Sequence, residues 1–91
     1  MQTHTVILTI PHNEINFFAG FFMGRAGSDE ITDIQRYLAQ KNFDALAPFL
    51  DNEQKAELHE AALVIYDSAT YETMKKDTTD FFDRVKSYLG K

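Results

Sequence analysis

The feature that most constrains this chain is one strand-like run at the start of a sequence that is otherwise helical in pattern. Residues 5–10, TVILTI, are rich in β-branched side chains, and Pro11 ends the run, which predicts a short N-terminal β-strand. A strand leaves its backbone N–H and C=O groups unpaired unless another strand lies beside it. One face of this strand carries Val6, Leu8 and Ile10, and the other carries Thr5, Ile7 and Thr9.

The first predicted helix covers about residues 13–26 and is unusually rich in phenylalanine. Its apolar side chains surround most of the circumference, which is typical of a central, buried helix. Gly20 and Gly24 are four residues apart and allow a neighbouring backbone to approach closely, and Gly27 ends the helix. Ser28 is the expected cap of a second helix, whose inner face carries Ile31, Ile34 and Leu38.

The rest of the chain predicts further helices separated by recognisable stops. A short helical turn over residues 43–46 is interrupted by Pro48. Asp51 and Gln54 form a variant of the capping box, which starts a helix in NEQKAELHEAALVIYDS. A last helix ends at Gly90, and its apolar seam follows a heptad-like spacing: Tyr71, Met74, Thr78, Phe81, Val85 and Tyr88.

These patterns predict one mainly α domain over residues 1–91, with four to five helices and one N-terminal strand. One alternative stays open, because the apolar run 62–66 fits a buried strand as well as the end of a buried helix. If it is a strand, it pairs with residues 5–10 inside the chain and the fold is α+β. If it is a helix, the N-terminal strand is expected to pair with a second copy of the chain or with another protein.

Composition narrows the class of protein. A chain of 91 residues is near the small end of what folds alone, so an oligomer would add stability. The chain has no cysteine, its start lacks the features of a signal peptide, and no apolar stretch approaches 20 residues. We therefore expect a cytoplasmic protein that does not span a membrane. The net charge of −5 favours solubility and opposes adventitious nucleic-acid binding.

No pattern of catalytic or metal-ligating residues is present in the sequence. His4, His12 and His59 have no partner ligand at helical spacing, and His12 is more typical of a residue near a helix start. The serines lie outside any GxSxG context, and the glycines form no phosphate-binding loop. We therefore expect no enzymatic activity, no cofactor and no metal.

Residues 5–38 resemble the ribbon–helix–helix repressors in layout: a strand closed by Pro11, a helix, a turn at Gly27, and a second helix. That resemblance implies two chains pairing their strands into a DNA-binding ribbon, as a regulator or antitoxin, with residues 43–91 binding a partner. The outward positions of such a ribbon would be Thr5, Ile7 and Thr9, and none of them is basic. Phosphate contacts dominate DNA affinity, so this layout is the second hypothesis for function.

The first hypothesis is a small, acidic, non-enzymatic interaction or regulatory protein, such as a phage or mobile-element inhibitor of a host protein. It is expected to be a homodimer whose interface contains Val6, Leu8, Ile10, Phe17 and Phe21. An acidic surface would meet a basic partner protein and contains Glu53, Glu57, Glu60, Asp77, Asp80 and Asp83.

Overall fold

The computed structural model describes residues 2–90, and the chain in that range forms five α-helices and two 3₁₀ turns. The helices are α1 (Ile15–Ala26), α2 (Asp33–Leu46), α3 (Asn52–Ile65), α4 (Ser68–Thr73) and α5 (Lys76–Leu89). The 3₁₀ turns are His12–Glu14, directly before α1, and Ala47–Phe49, between α2 and α3. The prediction of a mainly α fold with four to five helices is confirmed.

The predicted N-terminal strand is not formed within this chain. Residues 2–11 have no regular secondary structure, and no β-ladder occurs among residues 2–90. The α+β alternative is wrong, because residues 62–65 are the last turn of α3. The capping box starts this helix at Asn52, and its register buries Ala62 while leaving Leu63 and Val64 exposed, as a helix end does and a buried strand does not.

Helix α1 lies at the centre of the fold, because it packs against both α2 and α3. Its glycines permit the close approach of α3: a Cβ atom on Gly20 would lie 3.2 Å from the Leu58 Cδ2 atom. The predicted central position is thus confirmed. The prediction that α1 is buried holds only in part, because Ala19, Met23 and Ala26 are buried whereas Phe17 and Phe21 are exposed.

The best-buried part of the core lies where α1, α2, α3 and α5 meet. Its largest fully buried side chains are Phe43, Phe81, Met23 and Val85. The Phe43 and Phe81 rings meet edge to face with their centroids 5.5 Å apart. The Tyr66 ring stacks on Phe82 at 4.5 Å, and its hydroxyl donates to the Met23 carbonyl oxygen at 2.6 Å. Burial raises the pKa of Tyr66 above its ordinary value.

Helix α2 starts four residues later than the sequence predicts. The cap is Thr32, whose hydroxyl accepts the Gln35 N–H while the Gln35 side chain accepts the Thr32 N–H. The prediction of Ser28 as the cap is wrong: its hydroxyl accepts the Glu30 N–H within a local turn. A complete capping box satisfies two N–H groups reciprocally, which a Ser28 cap with the apolar Ile31 three residues later could not do.

Two other boundaries also differ from the prediction. Residues 43–46 are not a separate turn, since α2 continues through Asn42, whose side-chain amide donates to the Leu38 carbonyl inside the helix. The predicted last helix is two helices, because Met74 and Lys75 adopt extended backbone between α4 and α5. This break lets the Tyr71 ring fold back to 5.8 Å from the Phe82 ring.

The helices together form a slab rather than a sphere. The principal extents are 35 × 35 × 17 Å, and the radius of gyration is 12.9 Å. A slab this thin gives each helix few neighbours, so parts of α1 remain without a covering element.

Candidate functional site

The N-terminal segment, residues 2–10, lies in an extended form against the helices and makes no hydrogen bond to them among the described residues. Its alternate side chains Val6, Leu8 and Ile10 line a groove, whereas Ile7 points away and is 94 % exposed. The backbone therefore has the alternation of a strand without a strand beside it. Its N–H and C=O groups are free to pair with another chain.

The groove encloses about 520 Å³ between this segment, α1 and α2. Its floor is formed by two consecutive phenylalanine pairs of α1 together with Ala45 and Leu46 of α2. Asn42 also lines it, but its side-chain amide already donates to the Leu38 carbonyl. The groove therefore presents apolar surface and little that could recognise a polar ligand.

Several apolar side chains that line the groove are left exposed, because nothing in the described chain covers them. Phe17 is 75 % exposed, Phe21 is 59 % exposed, and Val6 and Leu8 are exposed to a similar degree. Ile7 is exposed on the other side of the segment. We call this set the N-terminal apolar surface: Val6, Ile7, Leu8, Phe17 and Phe21.

Four of the five interface residues predicted from sequence belong to this surface: Val6, Leu8, Phe17 and Phe21. Ile10, the fifth, is half-buried in the groove. Ile7 was assigned to the opposite strand face and left out, although it is the most exposed large apolar side chain of the described chain. The signal for it was present, since Ile7 is an aliphatic residue between two threonines on a face expected to be polar.

This part of the chain also carries little charge. Residues 1–24 contain a single Asp, Glu, Lys or Arg, which is Glu14, although the whole chain carries a net charge of −5. The five side chains of the N-terminal apolar surface offer neither the cations that attract nucleic acid nor the carboxylates that repel an acidic protein.

The N-terminal segment continues through Pro11 into the 3₁₀ turn before α1, where the Pro11 carbonyl oxygen accepts the Glu14 N–H at 2.9 Å and the His12 carbonyl oxygen accepts the Ile15 N–H. His12 of this turn also contacts the start of α3. The Gln54 side-chain amide donates to the His12 carbonyl oxygen at 2.7 Å, and His12 Nε2 lies 2.9 Å from Asp51 Oδ2. Both partners also form the capping box of α3, in which Asp51 Oδ1 accepts the Gln54 N–H at 2.8 Å. The Gln54 N–H and the His12 side chain hold the pKa of Asp51 below its ordinary value.

The six carboxylates of the predicted acidic surface are all exposed on α3 and α5. Three of them have partners within the chain: Glu57 accepts from the Asn16 amide, Asp80 pairs with Lys76, and Asp83 accepts from the Tyr71 hydroxyl. That last contact and partial desolvation raise the pKa of Tyr71. Glu53, Glu60 and Asp77 make no such contacts among the described residues, and of the six carboxylates Asp80 is the one paired with a cation there.

One buried polar group was missed by the sequence reasoning. Arg36 is only 3 % exposed, donates to the Ile31 carbonyl oxygen and contacts Asp33, and Lys75 donates to the same carboxylate at 2.9 Å. These contacts tie the start of α2 to the junction between α4 and α5. Arg36 lies on the side of α2 away from the predicted inner face, and that prediction is wrong, because Ile34 and Leu38 are 52 % and 36 % exposed.

The described chain offers no assembled reaction centre. Within residues 2–90 no three His, Asp or Glu side chains are grouped so that they could hold a metal ion. His12 and Asp51 form a histidine–carboxylate pair, but no serine or threonine hydroxyl in the described chain hydrogen-bonds to His12. No helix among those residues has the length and apolar character needed to cross a bilayer.

Comparison with known proteins adds no relative. No protein-family model, no curated protein and no solved structure matches this chain significantly. The functional argument therefore depends on the residues and contacts described above.

Proposed function

We propose that this protein is a non-enzymatic interaction protein that works as a homodimer paired through its N-terminal apolar surface. The observation that supports this most directly is the exposure of Phe17 and Phe21 beside an extended segment whose backbone has no partner. Large contiguous apolar patches on small proteins mark places where another molecule binds.

The size of the surface fits a second copy. A standard stable interface buries roughly 800 Å² per partner, with a range of about 600–1,000 Å². The surface lies at the small end of that range, and the half-buried Ile10, Phe18 and Phe22 at its margin extend it. A small chain with a thin core gains most from such an addition.

The charge distribution also favours a second copy. Two chains of net charge −5 repel each other, so they approach most easily through a region with few carboxylates. Residues 1–24 form that region. Antiparallel pairing of residues 5–10 with the same residues of the partner would pair the backbone groups along one edge of each segment and bring both sets of phenylalanines together.

The acidic side chains lie outside the proposed dimer interface, and we propose that they bind a partner protein. In the dimer Glu53, Glu60 and Asp77 would occur twice, and paired acidic surfaces favour a partner protein with basic patches. We prefer a protein partner to DNA because the outward positions Thr5, Ile7 and Thr9 cannot neutralise phosphate groups.

The first test is the absolute mass in solution, measured by size-exclusion chromatography with light scattering over a range of concentrations at low and high salt. We expect a dimer at both salt concentrations, because the interface is apolar and neutral. Val6→Asp should give a monomer that remains helical. Val64→Asp is the matched control, since Val64 is similarly exposed, 78 % against 69 %, but lies on α3. A wild-type monomer at every concentration would refute the homodimer.

A cysteine scan then tests the pairing of the segments. The chain has no cysteine, so a single cysteine placed in turn at each of residues 5–10 can form a disulfide only between chains. Facing positions in an antiparallel pair bring Cα atoms to about 4.5–5.5 Å, within disulfide range. We expect efficient crosslinking at one or two adjacent positions near the two-fold axis. A dimer that crosslinks at none of the six would show that the segments do not pair.

A further inference from the structure

We propose that Gln54 and Asp51, through their contacts with His12, are positioning residues that hold the N-terminal segment in the direction required for self-association. We call these three residues the clasp. This inference rests on the proposed homodimer and names the device that controls it.

The clasp differs from an ordinary capping box because each of its two capping side chains also contacts His12. Gln54 accepts the Asp51 N–H through Oε1 at 3.0 Å and donates through Nε2 to the His12 carbonyl oxygen at 2.7 Å. Asp51 caps α3 with Oδ1 and contacts His12 with Oδ2. The Thr32 and Gln35 box of α2 satisfies its own helix end in the same way, but neither side chain contacts a distant segment among the described residues.

Within the clasp, Gln54 carries most of the attachment. Its side chain is 6 % exposed, so its hydrogen bond to His12 lies away from water. The contact between His12 and Asp51 is exposed on both sides, 62 % and 48 %, where such pairs contribute little.

Pro11 links the orientation of His12 to the path of the N-terminal segment. Its ring fixes φ, here −57° with ψ 143°, and restricts Ile10 before it to extended backbone. The orientation of the His12 peptide therefore determines the path of residues 8–10 along the groove. A segment that is already aligned loses less conformational entropy when it binds a second copy.

The decisive variant is Gln54→Glu, which keeps an acceptor for the Asp51 N–H but replaces the amide donor with a carboxylate facing the His12 carbonyl. Gln35→Glu is the control for the capping box alone, because it makes the same change at an exposed position in a box without a clasp. We expect Gln54→Glu to raise the dimer dissociation constant about tenfold, which corresponds to losing one hydrogen bond to a buried partner. Gln35→Glu and His12→Ala should change it less than about threefold. Equal dissociation constants for the two glutamate variants would overturn the proposal.

A second measurement reads the segment directly and does not require a dimer. A dye on Thr3→Cys is the only thiol label in the chain, and its fluorescence anisotropy decay at nanomolar concentration reports the freedom of the segment. Gln54→Glu should increase the amplitude of fast rotation, whereas Gln35→Glu should not. An unchanged anisotropy decay in Gln54→Glu would refute the clasp, whether or not the wild type dimerises. A monomeric wild type would refute only the homodimer.

Pro11→Gly gives the same test without altering α3. It leaves the clasp in place but removes the restriction that transmits its direction, so dimerisation should weaken as in Gln54→Glu. The melting temperature should fall by only a few degrees, because glycine adds conformational entropy to the unfolded chain. Unchanged dimerisation of Pro11→Gly would show that the direction of the segment has no role.

Discussion

The same dipeptide, Phe-Phe, has opposite surroundings at the two ends of this chain. In α5 both rings are buried, with Phe81 at 0 % and Phe82 at 5 % exposure. In α1 each pair has one half-buried ring and one exposed ring, and Phe17 and Phe21 are the exposed ones. In the α1 pairs, each ring's nearest aromatic neighbour is the other member of its own pair, at 5.9 and 5.3 Å.

The difference shows that the burial of a phenylalanine depends on the elements packed around it and not on the Phe-Phe dipeptide itself. The α5 pair is covered by three elements, since Phe43 of α2 meets Phe81 while Tyr66 and Tyr71 flank Phe82. The α1 pairs are covered by α2 and α3 on one side only. The uncovered side is therefore a surface on which a further element would gain apolar contact.

The largest expected effect is that of Phe81→Ala on the free energy of unfolding. Removing a fully buried phenylalanine leaves a cavity and costs about 3–5 kcal/mol, a large part of the total stability of a domain this size. Urea denaturation followed by circular dichroism should show a partly or wholly unfolded protein. A loss below about 1 kcal/mol would mean that the α5 pair is not the better-covered one.

Tyr66→Phe tests the cover over that pair and should have an intermediate effect. The change keeps the ring that stacks on Phe82 but removes the hydroxyl that donates to the Met23 carbonyl. We expect a loss of about 1–2 kcal/mol, or roughly 5–10 °C in melting temperature. Tyr37→Phe, at an exposed tyrosine, is the control and should not shift the transition.

Phe17→Ala and Phe21→Ala should change the stability of the monomer by less than about 1 kcal/mol, since both rings are largely exposed already. The same variants should weaken dimerisation strongly, by tenfold or more in dissociation constant. Denaturation at dilute concentration and equilibrium sedimentation separate the two quantities. A large loss of monomer stability would contradict the assignment of these rings to an uncovered surface.

The smallest effect is expected on the melting temperature at low pH, and it compares the caps of α3 and α4. Asp51 and Asp67 both have a pKa below the ordinary 3.8, chiefly because each accepts a backbone N–H. A carboxyl group whose pKa is lower in the folded state stabilises the fold fully above about pH 4, and this stabilisation is lost as pH falls through the folded pKa. Asp51→Asn and Asp67→Asn should each make the fall in melting temperature below pH 4 shallower.

At neutral pH these two variants should differ in dimerisation rather than in stability. Asparagine is also a good cap, so the melting temperature should change little in either. If the clasp contributes through Asp51, dimerisation should weaken slightly in Asp51→Asn and stay unchanged in Asp67→Asn. A greater weakening of dimerisation in Asp67→Asn than in Asp51→Asn would contradict the role of the clasp.

Local rules predicted much of the fold because the residues that set helix ends act on their own neighbours. Asp51 and Gln54 start α3 as expected, and α1 and α5 end before Gly27 and Gly90. Where two local signals competed, the more complete one prevailed: Thr32 with Gln35 caps α2 although Ser28 comes first. The break at Met74 places Tyr71 against Phe82, a contact that no local pattern contains.

Most residues of the candidate site could be predicted from the sequence, but their arrangement could not. The alternation of residues 5–10 identified which side chains face the helices, and the apolar character of α1 identified the helix involved. Which phenylalanines stay exposed depends on where α2 and α3 lie, so Phe17 and Phe18 were indistinguishable in sequence. The clasp was hidden for the same reason, since Gln54 and His12 are 42 residues apart.

The slab form of the chain makes the shape of a dimer diagnostic of how it is assembled. Two bodies of 35 × 35 × 17 Å stacked on their broad faces form a nearly isotropic particle about as thick as it is wide. The same bodies joined at their edges form a plate twice as long and no thicker. Small-angle scattering and rotational diffusion separate these two particles without labels, since only the plate tumbles at distinctly different rates about its axes.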